Sequence, residues 1–333
     1  MTPRHSRRSG LIYSTGLFLI LIAFAVLSLS CGTVWLRPDQ LVGTDPAAQM
    51  ARLIVTELRL PRLVLTLLVG GSLGLSGAVL QGLTRNPLGE PGLLGVSAGG
   101  SFGAVVAIYF GLSLHLAAAG PLLALLGAAI AMMLTYALGR GGGTVALILA
   151  GSAVTALMWA LTDLALNLAD NPYAAYEMST WLLGSLANKG WPQVELAAPF
   201  ILAGMAVLAG TGRSLDALTL GEIQAESLGI NVERLNMRAL VGTAMAIGGA
   251  TAVTGNIGFI GLIAPHLMRP LAGHQPGRLL WPSTLAGAAL LLAADIATRV
   301  VRLGPDIKVG VFTSIVGAPF FFWLIIRMRR LAP

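Results

Sequence analysis

Long apolar stretches, nearly free of charge, follow one another along the whole chain, and they restrict its fold more than any other feature. They cover residues 11–36, 63–84, 91–114, 116–138, 144–161, 196–211, 239–254, 257–268, 279–298 and 309–326. Most approach or reach the roughly 20 residues that carry a helix across a ~30 Å hydrocarbon layer. The run 257–268 is too short to cross alone. The pattern predicts an all-α polytopic membrane protein with about ten transmembrane helices, formed by residues 1–333 as one domain.

Composition supports a lipid environment. Of the 333 residues, 56% are hydrophobic and 11% are charged, whereas a soluble domain carries about 25% charged residues. The 42 glycines suit membrane helices, in which small residues let backbones approach closely. The net charge of +7 fits arginines at cytoplasmic helix ends and does not indicate nucleic-acid binding. Cys31 is the only cysteine, which excludes an internal disulfide.

The distribution of basic residues predicts the orientation. With ten helices and an internal N-terminus, the inner segments hold 13 of the 21 basic residues: Arg4, Arg7, Arg8, Arg85, Arg140, Arg213, Arg234, Arg238, Arg269, Arg278, Arg327, Arg329 and Arg330. Both termini are then expected in the cytoplasm. The basic start followed by an apolar run could also be a cleaved signal peptide, but the run is long enough to span, so an uncleaved first helix is favoured.

Two connections are long. Residues 163–195 form an expected outer loop, and residues 212–238 an expected inner loop. Within the inner loop, residues 217–228 alternate apolar and polar side chains, which predicts one or two short helices at the membrane surface. The segments 63–162 and 239–326 have a similar succession of small-residue helices and proline-containing breaks, so an internal repeat is possible.

Small residues four apart predict close helix crossings at Gly70–Gly74–Ala78, Gly95–Gly99–Gly103 and Ala244–Gly248–Ala252. Asp295 and Arg299 are also four apart and can pair on one helix face. That pair is either a structural contact or leaves Arg299 available to a docking partner.

Candidates for enzymatic chemistry are weak. His115, His266 and His274 lack metal-ligand spacing, so neither a metal nor a cofactor is expected. Gly74-Leu75-Ser76-Gly77 resembles an intramembrane serine protease motif, but a serine nucleophile needs a histidine base in reach.

The only lysines, Lys189 and Lys308, stand in no phosphate-binding loop. Any active transport therefore draws on a gradient or on a partner ATPase. The scarcity of acidic residues within the runs argues against a gradient-driven carrier.

Longer motifs carry a resemblance over nearly the whole chain. They are Arg59-Leu60-Pro61-Arg62, Asn86-Pro87-Leu88-Gly89-Glu90-Pro91-Gly92-Leu93-Leu94-Gly95, Gly258-Phe259-Ile260-Gly261-Leu262-Ile263-Ala264-Pro265-His266, and Val309-Gly310 through Gly317-Ala318-Pro319. They are similar to the permeases of bacterial iron-siderophore, haem and vitamin B12 importers. The resemblance implies a type II ABC importer permease fold, a second permease copy, two ABC ATPase subunits and one periplasmic binding protein. It implies no enzymatic activity in the chain itself.

The resemblance also assigns site residues. Arg59, Arg62 and Arg299 match the family's docking arginines for the binding protein, with lipid headgroups as the alternative partner. The ATPase-coupling segment corresponds to Leu218, Leu220, Gly221, Glu222, Ser227, Leu228 and Gly229, and the cytoplasmic gate to Asn86, Leu88 and Thr144. Two departures, Val145 beside Thr144 and Lys308 in Asp306-Ile307-Lys308, weaken the carry-over of gate details. A ferric siderophore or haem is the favoured cargo, and vitamin B12 the alternative.

Overall fold

The computed structural model describes residues 3–331 except 33, 117, 274 and 302–306. Side chains are further described except at 3–14, 272, 325 and 328–331. The side chains of Arg4, Arg7, Arg8, Arg329 and Arg330, and the residues His274 and Asp306, therefore lie outside the described part.

Helices make up the described part of the chain, which contains no strand. They are α1 (Pro3–Ser30), α2 (Pro46–Leu53), α3 (Leu60–Thr84), α4 (Val96–Tyr109), α5 (Leu112–His115), α6 (Ala119–Gly139), α7 (Gly143–Asn167), α8 (Pro172–Leu182), α9 (Trp191–Ala209), α10 (Gly212–Leu218), α11 (Glu222–Ser227), α12 (Val232–Thr254), α13 (Ile260–Ala272), α14 (Pro276–Val300) and α15 (Val309–Leu331). Short 3₁₀ turns cover Pro38–Leu41 and Pro91–Leu94.

The lengths of these helices fit a protein that spans a membrane several times. Within the described residues, six helical segments are long and apolar enough to cross: Pro46–Thr84, α6, α7, α9, α12 and α14. Shorter apolar helices cover Thr15–Ser30, Val96–Tyr109 and Val309–Leu324. The run 257–268, expected to be too short, forms the 13-residue α13. The all-α polytopic class is confirmed, whereas the number of about ten spans stays a prediction.

A single helical path of 39 residues, Pro46–Thr84, joins α2 to α3 through one wide π turn, Ile54–Arg59. Pro61 accounts for the π turn, because proline has no backbone N–H that could donate a hydrogen bond to a carbonyl earlier in the helix. The N–H of Leu60 reaches back to Val55 instead. The carbonyl oxygen of Thr56 accepts a hydrogen bond from the indole Nε1 of Trp191 at 3.0 Å. The tryptophan thus replaces the missing backbone donor and fixes the start of α9 against the π turn.

Small residues bring the helices into backbone contact at the predicted crossings. A Cβ added at Gly70 or Gly74 would overlap the backbone of α14 at Gly287 or Ser283. A Cβ added at Gly99 or Gly103 would likewise overlap the backbone of α6. Two of the three predicted crossings, α3 with α14 and α4 with α6, are therefore confirmed. At the third, a Cβ added at Gly248 would lie 3.0 Å from Cβ of Ala128 in α6.

The bundle has two ends that differ in chemistry. At the end here called the Arg299 end, the last turns of α1 and α14 meet the π turn and the 183–190 connection. At the opposite end, here called the Glu222 end, α10 and α11 pack against the start of α14 and near the α6–α7 connection.

Both long connections are more helical than expected. The 163–195 segment contains the end of α7, all of α8 and the start of α9. The 212–238 segment contains α10 and α11, and its last seven residues already belong to α12. Asn171 caps α8 by accepting a hydrogen bond from the N–H of Tyr173 at 2.9 Å, and Asn231 caps α12 through the N–H of Arg234 at 2.7 Å. These asparagine caps account for helix starts that apolar periodicity alone did not show.

Candidate functional site

A buried carboxylate joins two of the three predicted docking arginines at the Arg299 end. Asp295 has no exposed surface. Its Oδ1 accepts from Nη2 of Arg62 at 2.6 Å and from Nε at 3.0 Å, and its Oδ2 lies 2.8 Å from Nη2 of Arg299. The predicted pair of Asp295 and Arg299 is confirmed, and Arg62 joins it from α3, 233 residues away. Three charged groups with a net charge of +1 therefore tie α3 to α14.

The third arginine, Arg59, is bound to a different element. It is 7% exposed, and its Nη1 and Nη2 donate to the carbonyls of Leu29 and Val34, each at 2.6 Å. Leu29 lies in the last turn of α1, where helical carbonyls lack backbone partners, and Val34 lies just beyond it. Arg299 also reaches this region, because its Nη1 donates to the carbonyls of Ser28 and Cys31. The arginines that the sequence places on an outer face therefore also cap α1.

Five cationic side chains line one cavity beside this network, here called the basic cavity. Its volume is about 420 Å³. The cations come from α14, from the π turn and α3, from the 183–190 connection and from the start of α15: Arg299, Arg59, Arg62, Lys189 and Lys308. The arginines were predicted as one site, but sequence reasoning did not place either lysine in it. From the sequence, Lys308 stands out only as a departure from the motif of the family that the chain resembles.

A second and larger cavity, here called the α7–α15 cavity, has a volume of about 680 Å³. It is lined from α4, α7, α8 and α15 and shares no lining residue with the basic cavity. Among its lining residues are Trp159, Leu183, Phe259 and Ile315. Glu90 also lines it, and its carboxylate accepts the backbone N–H of Phe259 at 2.9 Å. Glu90 therefore ties the α3–α4 connection to the start of α13, a role that the sequence did not reveal.

At the Glu222 end, α10 and α11 bury one side and expose the other. Leu215, Leu218 and Ala225 are fully buried against the bundle. Leu220 is 62% exposed, Ile223 76% and Leu228 63%. Gly221 has a φ of 110°, which a residue with a side chain rarely adopts, and it allows the sharp turn between the two short helices. The segment presents apolar side chains to its surroundings, as a docking surface does.

The predicted gate residues lie in two connections at this end. Asn86 accepts the N–H of Leu88 at 3.0 Å, which closes a tight turn after α3. Thr144, in the first turn of α7, is buried, and its hydroxyl has no partner among the described residues. Its neighbour Val145 is 67% exposed.

Both gate connections approach the α10–α11 segment. Thr219 and Pro87 line a common cavity of about 210 Å³. On the other side, a Cβ added at Gly143 would lie 3.2 Å from Oε2 of Glu222. The α10–α11 segment therefore lies beside the connections that hold Asn86 and Thr144.

A further hydrogen-bond chain supports the same end. Arg269 donates through Nη2 to Oε1 of Gln81 at 2.8 Å, and Gln81 donates through Nε2 to the carbonyl of Leu262 at 3.2 Å. This chain links α13 to α3. By contrast, the hydroxyl of Ser76 is buried without a hydrogen-bond partner among the described residues. The geometry gives no support to a serine protease.

The profile of the FecCD transport family matches residues 20–327 of the chain. The chain is 37% identical to the hemin transport system permease HmuU of Yersinia pestis, over 94% of this chain and 95% of that protein. It is 36% identical to the vitamin B12 import system permease BtuC of Serratia proteamaculans, over 94% and 91% respectively. Its fold is similar to a metal-chelate type ABC transporter solved in an inward-facing conformation, with a TM-score of 0.84, 30% identity, and coverage of 95% of this chain and 99% of that one.

Proposed function

Because the chain belongs to the FecCD transport family, as a multi-pass membrane permease of the iron-chelate, haem and vitamin B12 ABC importers, we propose that its own cargo is a ferric siderophore or haem. The chain brings cargo across the inner membrane, and a separate ATPase supplies the energy. Vitamin B12 is the second candidate, because the BtuC permease is as similar to this chain as the haem permease is.

The observation that carries the importer proposal is the two-sided α10–α11 segment. Leu220, Ile223 and Leu228 are exposed, although this connection joins helices that are otherwise packed or apolar. An apolar patch on a polar connection is typical of a protein interface. We assign this patch to a groove of the ATPase subunit, so that closure of two ATPase copies moves α10 and α11. The contacts with the Asn86 and Thr144 connections then pass that motion to the cytoplasmic gate.

Docking of the periplasmic binding protein is assigned to the Arg299 end. Arg59, Arg62 and Arg299 line the basic cavity, and an arginine can hold a carboxylate through two parallel hydrogen bonds. Because Arg62 and Arg299 already share Asp295, their geometry is fixed before any partner arrives. Such preorganised charges set the docking register and the association rate.

A second copy of the chain is proposed to complete the cargo pathway. The α7–α15 cavity carries exposed apolar residues, with Ile315 65% and Leu183 45% exposed. In a homodimer, the same surface of a second copy would face these residues and enclose the pathway. With the Glu222 end at the ATPase, the Arg299 end faces the periplasm and both termini lie in the cytoplasm.

Reconstitution tests the proposal. The purified chain alone should hydrolyse no ATP, and co-purification with its ATPase should give activity that the loaded binding protein stimulates. Proteoliposomes containing the complex should accumulate ⁵⁵Fe-siderophore or haem in an ATP-dependent way. Accumulation of cobalamin in their place would select the vitamin B12 alternative. Uptake that needs no ATP and stops with a protonophore would instead establish a secondary carrier.

A further inference from the structure

The basic cavity holds more positive charge than its own carboxylate neutralises. Asp295 serves Arg62 and Arg299 together. Arg59 donates only to backbone carbonyls, which carry no net charge. Lys189 and Lys308 add two more positive charges to the same cavity. Among the described residues, no carboxylate pairs with either lysine.

Arg299 has few hydrogen-bond donors left to offer a partner. Nη1 of Arg299 donates to two carbonyls, Nη2 contacts the hydroxyl of Ser28 and Oδ2 of Asp295, and Nε points to the carbonyl of Asp295 at 3.4 Å. All five of its N–H groups therefore face an acceptor. Nη1 of Arg62 donates to no acceptor in the described part of the chain. Among the described residues, no carboxylate pairs with Arg59 or with either lysine, so these three side chains are the cations open to a new anion.

The backbone holds these lysines near each other. Asn188 adopts a left-handed conformation with a φ of 56°, which turns the chain immediately before Lys189. The carbonyl of Gly184 accepts the N–H of Gly310 at 3.2 Å, so the 183–190 connection is joined to the first turn of α15. Lys308 stands just before that turn, and its carbonyl accepts the N–H of Phe312. The positive end of the α15 dipole adds to the charge of Lys308.

Holding Lys189 in this place is unfavourable for the permease alone. Burial, and secondarily the charge of Lys308, lower the pKa of Lys189 below its ordinary value. A desolvated ammonium that no carboxylate of the described residues neutralises destabilises the folded chain. A carboxylate placed between the two lysines would remove that penalty.

We propose that Lys189 and Lys308 together form the receptor for a carboxylate side chain of the docking binding protein, with Arg62 at its edge and Arg299 as a positioning residue. This inference rests on the proposed function and extends it. We assign the cavity of about 420 Å³ to a protein side chain and not to the cargo, because the proposed cargo pathway runs through the separate α7–α15 cavity of about 680 Å³. An acidic protein surface is the partner whose charge complements it.

The test uses the permease–ATPase complex in nanodiscs and the purified substrate-binding protein of the same transporter. Lys189→Gln and Lys308→Gln are each expected to weaken binding about 5- to 10-fold at low ionic strength, and the loss should shrink in 0.5 M salt, as for screened charges. Lys189→Arg should retain binding. Arg37→Gln is the matched control, since Arg37 is exposed at the same end but does not line the cavity.

A second measurement separates a docking role from a structural one. The apparent melting temperature of the unbound Lys189→Gln complex should equal or exceed that of the wild type, because an uncompensated cation is removed. A clear fall in melting temperature, or binding within twofold of the wild type at low salt, would overturn the inference. Failure of the wild type to bind the binding protein would instead reject the proposed function, which keeps the two results distinguishable.

Discussion

Arg62 and Asp295 form a two-pronged ion pair across the bundle, with Nη2 of Arg62 2.6 Å from Oδ1 of Asp295. The pair connects the start of α3 to the last turn of α14, close to the crossing where Gly70 and Gly287 bring the two backbones together. An ion pair thus holds α3 and α14 together at the end that carries the proposed docking cavity. In the middle of the crossing, close packing of small residues holds the two helices together.

Replacing the carboxylate tests this arrangement. In Asp295→Asn, Arg62 and Arg299 lose their counter-charge while the side chain keeps its shape. Removing one partner of a buried ion pair typically costs about 3–5 kcal/mol. We expect a marked fall in the apparent melting temperature of the detergent-solubilised protein.

Arg140→Gln is the control for that substitution. Arg140 lies 4.0 Å from Glu233, and both side chains are more than 60% exposed. Exposed pairs of this kind contribute little, so its melting temperature should match the wild type. Equal melting temperatures for both variants would show that Asp295 is not a structural counter-ion.

Gly77 provides a test of the α3–α13 crossing. A Cβ at this position would overlap the backbone carbonyl of Gly261, and neither helix can move without disturbing α14. Overpacking of this kind costs about 1–3 kcal/mol and often more against backbone. Gly77→Ala should therefore lower the yield of folded protein in fluorescence-detected size-exclusion chromatography.

The matched control for Gly77 is Gly92→Ala. A Cβ at Gly92 would meet nothing within 4 Å, and its φ is not positive. Its elution profile should resemble that of the wild type. A monodisperse Gly77→Ala peak of wild-type height would mean that α3 and α13 do not pack in this way.

The sequence predicted those contacts that are local or periodic. Apolar runs indicated the helices, small residues four apart indicated the crossings, and the spacing of Asp295 and Arg299 indicated their pair. Arg62 could not be added, because its partner lies 233 residues away. The helical segment 46–84 begins well before the apolar run at 63–84. Charged residues such as Arg52 and Arg59 interrupt the apolar pattern there, and the carbonyls that accept their hydrogen bonds are known only from the structure.

The candidate site was predictable to different degrees. Alternating polarity predicted one or two short helices at residues 217–228, and α11 lies in that range, whereas α10 begins earlier, at Gly212. Lys308 is an unusual lysine in the sequence, but its proposed role in binding a carboxylate depends on the nearby Lys189. The hydrogen bond from the N–H of Gly310 to the carbonyl of Gly184 brings those two segments together. Glu90 gave no signal, because its acceptor role requires the positive φ of Phe259 in a distant loop.

The exposed apolar patch on α10 and α11 predicts a selective loss of ATPase assembly. Leu220→Gln with Ile223→Gln removes two exposed side chains, 62% and 76% accessible, without altering the buried Leu218. We expect the double variant to fold normally, since exposed substitutions usually change stability little. It should lose co-purification with the ATPase and with it the ATP hydrolysis.

Tyr173→Ser controls for a general effect of removing exposed apolar surface. Tyr173 is 84% exposed, but it lies in α8, on the connection that leads to the Arg299 end. This variant should assemble with the ATPase as the wild type does. Undiminished ATPase recovery by the Leu220/Ile223 variant would remove α10 and α11 from the proposed coupling interface.

The lowered pKa of Lys189 predicts how docking depends on pH. In the free permease this pKa lies below the ordinary 10.5. A bound carboxylate would favour the charged lysine and raise its pKa. Docking is therefore accompanied by uptake of a proton at pH values between the pKa of Lys189 in the free permease and its pKa in the docked complex. Affinity should be constant below the pKa of the free state and should fall as the pH rises through it. Lys308 is the charged group that acts on Lys189. The other charged groups that line the cavity are Arg59, Arg62 and Arg299, two of which pair with Asp295.

Binding titrations from about pH 7 to pH 10 measure this dependence, in the range where a depressed lysine titrates. The wild-type affinity should decline at the alkaline end, whereas Lys189→Gln should bind more weakly at pH 7 and show a flatter profile. Lys308→Gln removes the neighbouring charge that lowers the pKa of Lys189, so its decline should move to higher pH. Superimposable profiles for wild type and Lys189→Gln would mean that the partner's carboxylate does not meet this lysine.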